Sequence, residues 1–257
     1  MRPFLLAMKL PPLRLATLFV TALSAAAFSA PPVHLFILSG QSNMAALEPA
    51  DSFLPEIRSL LPGAELLHVK VAAGGQPIRF WLAEWDRIAD ATGLAQRNEK
   101  GPIYYEQILV QVRELRATHP HADSITLCWM QGERDAKTGL SPAYEAAFRQ
   151  LVDNLRRDLA APDLHVVIGR LSDHSPGDEF QSEWDAIRAL QVEIAASLRQ
   201  GAWVDTDDLN DQSRDGRVFD GLHYTKEGYL EFGRRLARQS ARLILGLRPD
   251  PSGRPTS

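Results

Sequence analysis

The 257-residue chain has a single cysteine, Cys128, so it forms no internal disulfide and is too thiol-poor for a cysteine-based zinc site. Glycine and proline, 17 of each, are spread without a repeat, which excludes collagen-like and low-complexity classes. With 45% hydrophobic and 23% charged residues the composition is that of a globular protein, not a polytopic membrane protein. Positive charge is also in short supply. The chain has 28 Lys+Arg against 32 Asp+Glu, a net charge of −4. Removing residues 1–27 takes away Arg2, Lys9 and Arg14 but no acid, leaving 25 basic and 32 acidic side chains, or −7 over 230 residues. So acidic a chain is poorly suited to phosphate backbones, and no nucleic-acid partner is expected.

What is present begins with a leader. The basic start is followed by an uncharged run from Leu15 to Ala30 and by the small residues Ala25-Ala26-Ala27. This pattern predicts a signal peptide over residues 1–27 and a secreted or periplasmic protein, with no membrane contact once the signal is removed. Cleavage after Ala30 is disfavoured because Pro31 would follow the scissile bond; an uncleaved anchor is the alternative. Residues 28–257 are expected to form one domain.

Five short apolar runs alternate with helical patterns. Val33–Leu38, Leu66–Ala72, Ser124–Met130, Leu164–Gly169 and Ala202–Val204 read as strands covered on both faces. Apolar residues recur at helical spacing through Tyr105–Leu115, Tyr144–Leu155, Ile187–Leu198 and Leu230–Leu245. The alternation predicts an α/β protein with a parallel sheet between two helical layers. In such sheets, sites form in the loops that leave the carboxyl ends of strands. Those loops carry Ser42 beside Gly40, Gln41 and Asn43, then Gly74-Gly75, then Gln131 and Glu133-Arg134, and last Asp220 and His223.

A serine hydroxyl becomes a useful nucleophile when a base accepts its proton and a further group orients the base. Asp220 and His223, three residues apart, suit base and orienting acid for Ser42. The Ser42 N–H, a glycine N–H at 74 or 75 and the Gln131 side chain offer donors to an oxyanion. Each feature has a plain alternative: Ser42 as a helix cap, the glycines as a turn, Asp220-Gly221 as a turn with His223 in solvent. His34, His68 and His165 fall in strands. His119 and His121 lie before a strand, at the wrong sheet edge, so no metal site is expected. Cys128 sits in an apolar run and reads as buried and inert. Asp207, Asp208, Asp211 and Asp215 read as a solvated acidic surface.

Four blocks together resemble the SGNH hydrolases, in the branch of sialate O-acetylesterase-like proteins and acetylxylan esterases of carbohydrate esterase family 6. They are Phe36-Ile37-Leu38-Ser39-Gly40-Gln41-Ser42-Asn43-Met44, Gly74-Gly75-Gln76-Pro77-Ile78-Arg79-Phe80-Trp81, Trp129-Met130-Gln131-Gly132-Glu133-Arg134-Asp135-Ala136 and Asp220-Gly221-Leu222-His223-Tyr224-Thr225. The resemblance implies a flavodoxin-like three-layer sandwich, strand order 2-1-3-4-5, working without metal or cofactor. It further implies Ser42 as nucleophile, His223 as base, Asp220 as orienting acid, and Ser42, Gly74 or Gly75, and Gln131 as oxyanion donors.

Two positions depart from the pattern. Gln76-Pro77 replaces a small Ser/Thr, and Arg134 replaces a small residue. Gln41, Asn43, Trp81, Glu133 and Arg134 are candidates for binding substrate, with Trp81 and Trp85 as a stacking wall or as core, and Glu133 more suited to support. The expected activity is removal of O-acetyl groups from an acetylated carbohydrate. A lipase or thioesterase on the same machinery, or a non-catalytic carbohydrate-binding module, are the alternatives.

Overall fold

The computed structural model describes residues 30–214 and 216–256. The leader 1–27 and Asp215 therefore lie outside the described residues. Residues 31–257 make one compact unit. In chain order its elements are β1 (Val33–Gly40), α1 (Ser42–Ala46), α2 (Phe53–Leu60), β2 (Glu65–Ala72), α3 (Trp85–Thr92), α4 (Ile103–Thr118), β3 (Ser124–Met130) and α5 (Glu133–Ala136). There follow α6 (Ser141–Asp158), β4 (His165–Gly169), α7 (Asp178–Ser197), β5 (Gly201–Val204), a hairpin of β6 (Gln212–Arg214) and β7 (Arg217–Asp220), and α8 (Lys226–Ile244).

β1 to β5 form a wholly parallel sheet in the order 2-1-3-4-5, the predicted arrangement. The central strands are apolar on both faces because both faces are covered. On β1 every residue after Val33 is buried, and β4 is buried throughout. Alternation of side chains sorts the layers. Phe36 meets Phe53 of α2, and Cys128 Sγ lies 3.6 Å from Ser240 Oγ of α8, so α2 and α8 cover one face. On the other face Trp129 packs on Phe148 of α6 and meets Trp81, which in turn packs on Tyr104 of α4. α7 joins that layer, with Gln191 donating to the Tyr144 hydroxyl. Burial raises the Cys128 thiol to about 12, so it stays protonated and unreactive at ordinary pH.

The predicted strands and four predicted helices are all present, most with ends shifted by a few residues and α7 beginning nine residues earlier, at Asp178. At α6, Leu140 is the N-cap and Ser141 the first helical residue, with Pro142 behind it. No helix among the described residues is long and apolar enough to cross a membrane.

The strand order reverses at β1, which pairs with β2 on one side and β3 on the other. The loops leaving these strands diverge there and open a cleft. Gly40 makes the junction possible. Its φ is +145°, and a Cβ at that position would lie 1.9 Å from the Met130 carbonyl oxygen. That contact lets the Gln41 N–H reach the same carbonyl at 2.8 Å. The chain therefore turns directly off the sheet into α1.

Candidate active site

Ser42 is the first residue of α1, where helical N–H groups lack intrahelical partners and face outward. The helix is only five residues long and is held at its other end from beneath: the Lys70 ammonium on β2 donates to the Ala45 carbonyl at 2.9 Å and to the Leu47 carbonyl. Burial lowers the Lys70 pKa, with Glu48 acting in the opposite direction.

The loop after β2 runs past Ser42. A Cβ at Gly74 would stand 3.8 Å from the Ser42 Cβ, and Gly75 has φ +66°. Ser42, Gly74, Gly75, Arg134, Leu222 and His223 surround a cleft of about 320 Å³, within the size range of small-molecule sites.

His223 comes from far along the chain, in the connection between β7 and α8, yet its Nε2 lies 3.1 Å from Ser42 Oγ. Its loop is tied down on both sides. Asn210 donates to the Gly221 carbonyl at 2.9 Å and to Asp173 at 3.1 Å. Asn43 donates to the Leu222 carbonyl at 3.2 Å. Tyr224 is buried against Tyr229 and Phe232, with its hydroxyl 3.4 Å from the Met130 sulfur. Thr225 then caps α8 through the Gly228 N–H. Asp220 is the last residue of β7, its backbone paired with Gln212; its side chain lies outside the described residues.

Several expected site residues are brought to the cleft in other roles. Asn43 is 1% exposed and does not face a substrate. Its amide donates to Glu133 Oε1 at 3.2 Å as well as to Leu222, and its oxygen accepts from the Tyr229 hydroxyl at 3.1 Å. It is a strut joining α1, α5, α8 and the histidine loop. Gln131, expected as an oxyanion donor, is fully buried, and its amide donates to the Gln76 carbonyl at 3.1 Å and to Asp135. For Trp81 and Trp85 the second of the two readings, core packing, is the one that holds. Both are fully buried, with their indole N–H groups on Ser39 Oγ and the Gln96 carbonyl, so they are core rather than a stacking wall.

Gln41 borders the cleft, but its oxygen is taken by the Arg134 N–H at 3.1 Å. Arg134 itself is exposed at the rim. Glu133 is 2% exposed at the cleft wall, where burial pushes its carboxyl up to about 7, against the hydrogen bond from Asn43; its second oxygen has no hydrogen-bond partner among the described residues. Lys137, which borders the same cleft, was not among the sequence candidates. Its spacing of three from Arg134, just past the end of the same short helix, was the available signal.

Of the four acids read as a solvated surface, Asp211 is exposed and Asp215 lies outside the described residues, while Asp207 and Asp208 are tied into ion pairs. Asp207 pairs with Arg170 and Arg188, and Asp208 with Arg235 at 2.7 Å. Among the described residues, no group of three or more His, Cys, Asp or Glu is placed to hold a metal ion.

Fold and site together define an α/β sandwich with a 2-1-3-4-5 parallel sheet and a serine and a histidine in contact at its switch point. A family model for carbohydrate esterases described as sialic acid-specific acetylesterases matches residues 45–242, and the chain belongs to that family. The matched range contains Gly74, Gly75, Glu133 and His223 and begins three residues after Ser42.

Among solved structures, a protein from Arabidopsis thaliana is similar with a TM-score of 0.59 and 22% identity over 82% of this chain and 98% of its own. A carbohydrate acetylesterase from Xanthomonas citri gives 0.56 and 17% over 84% of this chain and 56% of its own. NanS gives 0.56 and 15% over 85% and 98%. At these identities the likeness is one of fold. No curated protein sequence matches the chain significantly.

Proposed function

We propose that the protein is a serine esterase that removes O-acetyl groups from carbohydrates through an acyl-serine intermediate. The observation that carries this reading is the 3.1 Å contact between Ser42 Oγ and His223 Nε2 in an open cleft floored by glycine. With its proton on Nδ1, His223 accepts the Ser42 proton through Nε2 as Oγ attacks the ester carbonyl. Asp220, three residues before His223, is the proposed partner of Nδ1, holding that tautomer and stabilising the imidazolium.

The oxyanion forms where the Ser42 N–H leaves the start of α1. Gly74, packed against Ser42, is the better placed of the two glycines to add a second N–H. Collapse of the tetrahedral species breaks the ester bond, and His223 returns its proton to the departing sugar oxygen. Water then repeats the sequence on the acyl-serine, releasing acetate and restoring the Ser42 hydroxyl.

Membership of a carbohydrate esterase family supports the substrate class, as does the cleft lining, in which Leu222 is the one large apolar side chain among the described residues and gives a long acyl chain little to pack on. The basic and apolar leader of residues 1–27 supports export to the periplasm or the medium. The test is Ser42→Ala. The variant should keep the wild-type Tm and lose several powers of ten in acetate release from O-acetylated sugars. A folded variant with near-wild-type turnover overturns the proposal.

A further inference from the structure

The loop leaving β2 is tied to the protein mainly through its carbonyls. The Gly74 carbonyl accepts from the Gln76 side chain at 2.9 Å, the Gly75 carbonyl from Arg134 Nε at 2.9 Å and the Gln76 carbonyl from the Gln131 amide at 3.1 Å. N–H groups are used only at the two ends. Ala73 donates to the Gly40 carbonyl at 3.1 Å, and Ile78 to both carboxylate oxygens of Asp135 at 3.2 and 3.1 Å. Between them the N–H groups of Gly74, Gly75 and Gln76 have no hydrogen-bond partner among the described residues. Gly74 and Gly75 line the cleft that holds Ser42, so backbone donors are left over where an oxyanion needs them.

The far end of this turn is gripped by Asp135, the third residue of α5 and 0% exposed. Besides the Ile78 N–H it accepts from the Gln131 amide, which also donates to the Gln76 carbonyl. One carboxylate and one amide thus hold the chain on either side of Pro77. Burial pushes the Asp135 carboxyl up to about 7, against the hydrogen bonds from Gln131 and the Ile78 N–H; Arg79, the cation felt there, is paired with Glu99 instead. An acid buried without a paired cation costs the fold stability, so stability does not account for it. Its acceptor chemistry does. Both oxygens of a carboxylate accept, so one side chain receives the two N–H groups, whereas an amide of the same size would set its own N–H against that of Gln131.

We propose that Asp135 is a positioning residue of the esterase: through the Ile78 N–H and the Gln131 amide it fixes the turn at 74–76, and with it the second oxyanion donor beside Ser42. This rests on the esterase reading above and adds the group that sets the oxyanion geometry. Gly74 is the donor it places, because a Cβ there would stand 3.8 Å from the Ser42 Cβ. Asp135 itself is not among the residues that line the cleft, so it acts only through the loop.

The probe is methylboronic acid, whose boron takes up Ser42 Oγ to give a tetrahedral anion with an oxygen at the oxyanion position. Its affinity is measured by calorimetry on the wild type, Asp135→Asn and Asp135→Ala. Affinity for an intact O-acetylated sugar is measured on Ser42→Ala with and without the same changes, and kcat and KM are taken from acetate release. Asp135→Asn keeps an acceptor for Ile78 but not for Gln131, and should lower boronate affinity and kcat about tenfold. Asp135→Ala, with neither acceptor, should lower both about 100-fold. Ester affinity and KM should change less than about threefold in both variants. Boronate affinity and kcat that stay within about twofold of wild type, or fall only in step with ester affinity, overturn the positioning role whatever happens to Tm. Neither variant having a folded state would overturn it as well, since the carboxylate would then serve the fold. No acetate release by the wild type, with boronate affinity still dependent on Asp135, instead counts against the esterase reading and leaves the positioning role standing.

Discussion

Replacing Asn43 by alanine tests how the histidine is delivered to the serine. The side chain is 1% exposed and makes three hydrogen bonds, at 3.2 Å to Glu133, 3.2 Å to the Leu222 carbonyl and 3.1 Å from the Tyr229 hydroxyl. The substitution would leave all three partners with one bond fewer. Neutral hydrogen bonds contribute about 1 kcal/mol net and those to ionised groups somewhat more, so the loss should be about 3 kcal/mol. For a domain of this size that lowers Tm by about 6–12 °C.

The functional effect follows from the Leu222 contact. Leu222 immediately precedes His223, and Asn43 immediately follows Ser42, so this one side chain ties the base to the nucleophile. A displacement of about 1 Å at a reacting pair costs on the order of 10²-fold. Asn43→Ala should therefore lower kcat about 10- to 100-fold, with KM changed less than about threefold. Thermal unfolding and initial rates on an acetyl sugar are the assays. Asn43→Asp retains the size but turns a donor into an acceptor facing both Glu133 and the Leu222 carbonyl, so it should behave as badly, and worse as pH rises. A Tm within about 2 °C of wild type together with a kcat within about twofold for Asn43→Ala would refute the strut.

Three further outcomes are expected. Burial holds the Glu133 carboxyl at about 7 in the folded protein against an ordinary value of 4.5, so the folded state keeps its proton while the unfolded state releases it. Its contribution to stability is full below about pH 4.5 and is lost as pH rises through about 7, and urea midpoints between about pH 5 and 8 should fall less steeply in Glu133→Gln than in wild type; identical slopes count against it. Lys70→Met strips the cation from the Ala45 and Leu47 carbonyls and should lower Tm by several degrees and kcat about tenfold, whereas unchanged values would mean α1 needs no such anchor. Asp220→Asn should reduce kcat about 10²–10⁴-fold with little change in KM, while Asp207→Asn, which breaks the pairs with Arg170 and Arg188, should act mainly on Tm; a larger kcat loss at Asp207 would show that the orienting acid is misassigned.

The sheet was legible because its central strands are buried on both faces, which writes apolar runs such as Ile125–Met130 into the sequence. Helices α4, α6, α7 and α8 were legible from their period. α3 and the tight helical turn Ile78–Trp81 were not: they are short and lie in one long connection without a sustained repeat. The β6–β7 hairpin was missed for a different reason. Its strands are three and four residues long and mostly polar, so no alternating pattern develops.

At the site, the residues that contact each other across the cleft sit in recognisable blocks, but their burial does not show in the chain. Trp81 beside a glycine pair looks like a sugar platform; only the fold reveals that Ser39 takes its N–H and Trp129 its edge. The acids at 207 and 208 read as surface because their partners, Arg170, Arg188 and Arg235, lie 19 or more positions away on other elements. The partner of Gln131 was not legible either: its backbone leaves β3, and its amide donates to Asp135 four residues on.

The measurement that bears most directly on the central claim is peptide mapping of the purified protein after reaction with a fluorophosphonate, which phosphonylates a serine only when a neighbouring base activates it. A single adduct on Ser42, abolished in His223→Ala and matched by loss of acetate release, is the predicted result. Acetate release that continues with Ser42 unlabelled, or an adduct on another serine that tracks the loss of activity, would contradict the account.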